Sequence, residues 1–213
     1  ALAAAAVAAL CLAIAAPGLL RASGGAPPRL ALPRGIVLLL SALTAAAFLV
    51  EGAILDWGAL LMVERGLQDP VRAGLGFMFL SGAMAAGRLS GDRLVAAIGP
   101  LATLCGGGFV VAAGLVVMLW APTAAIAMGG FTLVGLGAAN LVPVLFSAAG
   151  RQTGMDPGLA IAAVTTTGYA GVLLGPAAIG AVAHGTSLVA AFWGLVVMMA
   201  AFPFFAAVAT RRP

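Results

Sequence analysis

The sequence predicts an all-α membrane protein, and three observations predict it. Of its 213 residues, 63% are hydrophobic and 8% charged, and the mean hydropathy is +1.19. Soluble domains stand near roughly 45–50% apolar and 25% charged. The apolar residues fall in long runs, and about 20 such residues carry a helix across a hydrocarbon core of roughly 30 Å. Nowhere does the chain alternate polar and apolar over about ten residues, as a barrel strand does. Helices remain, because lipid offers no water to satisfy an open backbone hydrogen bond.

Reading apolar runs against turn signals gives seven spans: 1–20, 36–62, 71–90, 95–120, 123–149, 158–183 and 187–209. The first begins at Ala1 inside an apolar run with no charged stretch ahead of it, so the chain reads as a fragment and not as a signal peptide. Between the first two spans, 21–35 combines Pro, Gly and three arginines and reads as a linker. The other connections are short, which suits antiparallel neighbours. Three charges of the run Gly87-Arg88-Leu89-Ser90-Gly91-Asp92-Arg93 interrupt the greasy sequence, and this run is expected to be a short loop between two spans.

The net charge of +4 comes from ten arginines and no lysines, and the longest basic run is Arg211-Arg212. That pattern is topological and excludes nucleic acid as a partner, since loops rich in Lys and Arg stay in the cytoplasm. One set of alternate connections holds Arg21, Arg29, Arg34, Arg88, Arg93, Arg151, Arg211 and Arg212, and the other holds only Arg65 and Arg72. The first set, with the C-terminus, is therefore expected on the cytoplasmic side of the cell (inner) membrane. Trp57 and Trp120 then fall near outward ends, where an aromatic belt would stand.

Within the spans, Gly106-Gly107-Gly108, Gly129-Gly130, Gly135, Gly137 and Gly171-x-x-x-Gly175 allow close helix approach. Pro143, Pro176 and Pro203 each remove one backbone donor and can bend a helix. Cys11 and Cys105 lie in apolar runs without metal-ligand spacing, so neither a metal nor a cofactor is expected.

Glu51 is the most informative single residue, because an ionisable group near mid-span is costly and usually functional. Ser41, Thr44, Phe48 and Glu51 follow 3-4-3 spacing and share a sector of about 80°. Asn140 is counted at about 13 Å from its helix end, close to the midplane. Thr167 stands at a similar depth on the next span, with Thr165, Thr166 and Tyr169 beside it. Glu51, Asn140, Tyr169 and Thr166 are the expected solute- or proton-binding residues. Hydrogen-bond glue between helices is the plainer role for any one threonine. His184 falls at a helix end. Leu133-Val-Gly135-Leu-Gly137 lacks the third glycine and the βαβ context of a dinucleotide site. No pair of catalytic groups shares a depth, so an enzyme is not expected.

The run Gly87-Arg88-x-x-Gly91-Asp92-Arg93 resembles the short-loop signature of the major facilitator superfamily, which recurs after the second and eighth helices of a twelve-helix transporter. Three spans precede it here and four follow, which fits the second copy. Residues Glu51-Gly-Ala-Ile-Leu-Asp56-Trp57, Asn140-x-x-Pro143-x-x-Phe146-Ser147-x-Ala149-Gly150-Arg151 and Gly168-Tyr169-x-Gly171-x-x-x-Gly175-Pro176 are similar to bacterial inner-membrane members of the MosC and YbjJ type. The resemblance covers the whole chain. It implies a major facilitator helical bundle, with 1–20 as the last helix of a truncated N-terminal bundle, 21–35 as the central cytoplasmic linker and 36–213 as the C-terminal six-helix bundle.

It further implies alternating access to a small polar, sugar-like solute, with proton coupling, in a lipid bilayer and against helices one to five, which the chain lacks. A multidrug exporter of the same superfamily and a non-transporting membrane scaffold are the alternatives. Arg88, Asp92, Arg93 and Arg151 are expected to form a gate latch, in which Asp92 accepts backbone N–H groups and pairs with an arginine.

Overall fold

The computed structural model describes residues 33–210. The expected span 1–20, most of the linker 21–35, and Arg211 and Arg212 lie outside the described residues. Eight helices follow one another: α1 Ile36–Glu64, α2 Leu75–Leu89, α3 Gly91–Ile98, α4 Pro100–Trp120, α5 Ala124–Ala138, α6 Leu141–Gly150, α7 Pro157–Gly185 and α8 Leu188–Thr210. Among the described residues five spans are long and apolar enough to cross a membrane: α1, α4, α5 together with α6, α7, and α8. The chain is a multi-pass membrane protein.

Local chemistry sets the boundaries. Asp156 caps α7 by accepting from Gly158 N at 2.9 Å and Leu159 N at 3.2 Å, with Pro157 in the first turn, where its missing N–H is no loss. Thr123 caps α5 in the same way through Ile126 N. Arg65 closes the far end of α4, its guanidinium donating to the carbonyls of Met118 and Ala121. A cation there meets the negative end of the helix dipole.

Three expected spans come out differently. The span 71–90 shortens to the 15 residues of α2, because Asp69-Pro70 and the bonds Arg72 N to Asp69 O and Leu75 N to Arg72 O hold the preceding residues in turns. Such a helix covers only about 22 Å. The span 95–120 divides at Gly99, whose φ of +85° is open to glycine and strained for other residues, and Pro100 then starts α4. The span 123–149 breaks at Ala139 and Asn140. Pro143 explains that break, since its ring clashes with the carbonyl four residues earlier, that of Ala139.

The cluster Gly87–Arg93 is not the short loop expected of it. Ser90 is the only residue between α2 and α3, and at φ −96° and ψ −3° it stays near the helical region. Its hydroxyl donates to the carbonyls of Ala86 and Gly87, both at 3.2 Å. Two helices therefore meet at a one-residue joint, and Arg88 and Asp92 project from helical turns.

The helix pairs pack through small residues. α1 lies most extensively on α7, α5 lies between α4 and α2, and α4 lies against α8. Along α1 and α7 the contacts advance together: a Cβ on Gly168 would meet Thr44 and Phe48, one on Gly171 the backbone of Ala45, and one on Gly175 Leu49. Trp57 Nε1 donates to Pro176 O at 3.1 Å and extends the seam toward the far end. Pro176 leaves the Val172 carbonyl without its helical donor, and that carbonyl faces Gly52. Elsewhere a Cβ on Gly107 would stand 2.6 Å from Gly137 O, and one on Gly135 would stand 2.3 Å from Leu80 O. Gly106 and Gly129 meet nothing.

Gly171→Val tests this seam, because its Cβ would approach Ala45 O to 2.4 Å with backbone on the receiving side. Separation of the helices should lower stability by about 1–3 kcal/mol, the usual range for overpacking. In a thermal unfolding assay of purified protein, Gly171→Val should melt several degrees below the unmodified chain, while Gly106→Ala should not.

Candidate functional site

The sequence-predicted residues separate into two groups, and Asn140 falls with the Gly87–Arg93 run instead of with Glu51. The first group is built on α1 and α7. Because Gly168 admits Phe48 into the seam, the Phe48 ring stacks on Tyr169 with centroids 5.5 Å apart and planes inclined by 22°. Tyr169 remains 57% exposed, and Thr166, three residues before it on the same face, is exposed as well. Glu51 lies one turn beyond Phe48 and is half-buried. Its Oε1 is buried and meets no hydrogen-bond partner among the described residues.

Ser41 and Thr44, which share the sector of Glu51, are fully buried. Thr44 donates to Leu40 O at 2.8 Å, which satisfies it within its own helix. Thr44 belongs to the seam, while the buried Ser41 hydroxyl meets no hydrogen-bond partner among the described residues. Thr165 is similarly occupied with Ile161 O at 2.8 Å. The open part of the first group is thus Glu51 with Tyr169 and Thr166.

Asn140 belongs to the second group. Its Nδ2 donates to Gly87 O at 3.2 Å, and its Oδ1 occupies the place where a Cβ on Gly91 would be, 2.0 Å away. The side chain is 8% exposed and plugs the α2–α3 joint. A cavity of about 320 Å³ opens beside it, lined among others by Asp92, Asn140, Pro143, Ser147 and Arg151. Arg151 donates to the Ser147 hydroxyl. Asp92 lies in the first turn of α3 but makes no capping bond, contrary to expectation. With Ser90 still near helical geometry, the chain does not swing away and present its N–H groups to a side chain. Arg93 is exposed.

Arg88 has the opposite fate. It is exposed on α2 and stands apart from the cavity of Asp92 and Arg151. Helix counting had assumed that all helices end on one plane, and α2 does not. Gly87, two residues from the end of α2, is level with Asn140, beyond which α6 still runs ten residues, or about 15 Å. Arg88, exposed on α2, accordingly lies short of the end of α6, and the signal that could have revealed it was the shortness of α2. Among the described residues no cluster of three metal-ligating groups occurs.

A bundle of apolar helices joined by the Gly87–Arg93 signature, with one carboxylate in its interior, defines a class: the major facilitator superfamily helical bundle. Comparison with known proteins agrees. The chain is similar to an uncharacterized MFS-type transporter of Yersinia pestis, 42% identical over 195 residues, which is 91% of this chain and 51% of that protein. It is similar also to the membrane protein MosC of Rhizobium meliloti, 34% identical over 152 residues, 71% of this chain and 37% of MosC. An uncharacterized transporter of Sinorhizobium fredii is 33% identical over 159 residues, 75% of this chain and 42% of that protein. The chain spans about half the length, or less, of these curated relatives. No protein-family model matches it.

A double-mutant cycle tests the Asn140 plug. Gly91→Ala places a methyl group on Oδ1 and should destabilise by about 1–3 kcal/mol. In an Asn140→Ala background the same methyl has room, so the two changes should couple by at least about 0.5 kcal/mol in thermal or denaturant unfolding. Strict additivity would show that the amide does not fill the joint.

Proposed function

We propose that the chain is the C-terminal half of a secondary transporter that moves a small polar, sugar-like solute by alternating access, with a proton as coupling ion. The observation that carries this reading is Glu51. A carboxylate half-buried within a membrane-spanning helix, with one oxygen lacking a partner among the described residues, is a standing cost. Such a group is useful when a solute hydroxyl or a proton completes it. Tyr169 and Thr166 add hydroxyl groups on the neighbouring helix, and the exposed aromatic face of Tyr169 gives a sugar-like ring something to lie against. The relatives' naming as transporters supports the class and leaves the solute open.

In this reading the protein resides in the inner membrane with the Arg88, Arg93 and Arg151 end in the cytoplasm, following the arginine imbalance. Helices supplied from outside this chain form the opposing wall of the solute site. Asn140, Asp92 and Arg151 act at the cytoplasmic gate, where the one-residue joint at Ser90 gives α2 and α3 a place to change their angle. In this reading Asn140 opens or closes that joint.

The test is transport by the full-length gene product in vesicles under an imposed proton gradient, with sugars, polyols and cationic drugs as the panel. Glu51→Gln should lower gradient-driven uptake of a polar solute at least ten-fold while the protein still elutes as a folded species. Unchanged uptake with unchanged pH dependence would remove Glu51 from the mechanism. Efflux of the drugs alone would replace the permease by an exporter.

A further inference from the structure

Two charges of opposite sign lie at neighbouring depths on α1 and α2, and neither has a hydrogen-bond or ion-pair partner to account for it. Glu51 Oε1 is buried without a partner among the described residues, and the Arg88 guanidinium makes no hydrogen bond or ion pair to them. Their relative depth follows from Phe131. Its ring lies against both Gly58 of α1 and Gly76 of α2, at 3.2 Å and 2.6 Å from where their Cβ atoms would be, so these glycines share a level. From that level α1 descends seven residues to Glu51, about 10 Å, and antiparallel α2 descends twelve to Arg88, about 18 Å. The difference, about 8 Å, is close to the reach of an arginine side chain, on the order of 7 Å by its bond lengths. The guanidinium can therefore rise toward the Glu51 carboxylate.

We propose that Arg88 is the specificity-determining cation of the Glu51 site, and that the solute it selects carries a carboxylate, as a sugar acid does. The proposal rests on the reading of Glu51 as a solute- or proton-binding residue. The charge inventory at this level is short. Arg88 of α2 lies about 8 Å below Glu51 in depth, Tyr169 of α7 stands beside Phe48, and α5, α6 and α8 contain no ionisable residue at all. With Glu51 ionised, Arg88 is compensated and an anionic solute is not wanted. When a proton from the aqueous phase on the loading side adds to the Glu51 carboxylate oxygen, the guanidinium is left uncompensated. A planar carboxylate then matches its fork of donors. On the release side the solute leaves with its negative charge, and the proton returns to water. Proton and anion cross together.

The inference separates Arg88 from the gate. Asp92 and Arg151 line their own cavity with Asn140, and Arg88 is not among its lining residues.

The experiment uses the full-length gene product in proteoliposomes with an inward proton gradient and matched probes: gluconate against sorbitol, and glucuronate against glucose. The unmodified protein should take up the acid of a pair at least ten-fold faster than its neutral counterpart. That preference should vanish in Arg88→Gln and return in part in Arg88→Lys. Thermal stabilisation of the detergent-solubilised unmodified protein by the acids, and not by the neutral partners, gives the same answer should a variant fail to fold. Equal or better handling of the neutral probes, or no effect of any acid on uptake or melting, overturns the proposal. Loss of neutral-solute uptake in Glu51→Gln alongside wild-type uptake in Arg88→Gln refutes the role of Arg88 and leaves that of Glu51 standing; wild-type behaviour of both variants refutes both.

Discussion

A carbonyl that ends a helix inside a bilayer must find a donor, and the arrangement around α2 is the consequence of that requirement. α2 stops after 15 residues, well short of a full crossing, and its last turn would leave carbonyls open to an apolar interior. Ser90 serves Ala86 and Gly87 from below, and Asn140 serves Gly87 from the side. The α5–α6 helix is interrupted at the same depth, where Pro143 removes a backbone bond. One interrupted helix thus repairs the end of another. Gly91 completes the fit, since any side chain there would occupy the place of the amide oxygen.

The same constraint distributes the charges. Were α2 as long as its neighbours, Arg88 would reach the aqueous boundary together with Arg151. Its early stop leaves Arg88 short of the end of α6, while α3 carries Asp92 and Arg93 onward. Asp92 lines the cavity beside Asn140, and Arg88 does not.

Much of this was legible in the sequence. The membrane class, the helical ends at Asp156-Pro157 and Thr123, the break caused near Pro143 and the close packing at Gly171-x-x-x-Gly175 follow from local chemistry that the chain cannot evade. The pairing of Asn140 with the signature turn was not legible. Counting residues from a helix end gives a depth only if all helices end on one plane, and a 15-residue α2 between helices of 29 and 21 residues breaks that assumption.

The parallel seam of α1 and α7 has a consequence for how this chain can vary. Thr44, Ala45, Leu49 and Trp57 meet Gly168, Gly171, Gly175 and Pro176 in the same order along both helices, and several of these meetings are made against backbone. Replacement of a side chain is a local event, but one inserted residue in either helix rotates everything after it by about 100° and turns the glycine strip away from its partner. The two helices are therefore free to exchange residue types and not free to change length independently, so lineages carrying this seam should accumulate their insertions and deletions in the connections and leave these two spans uninterrupted.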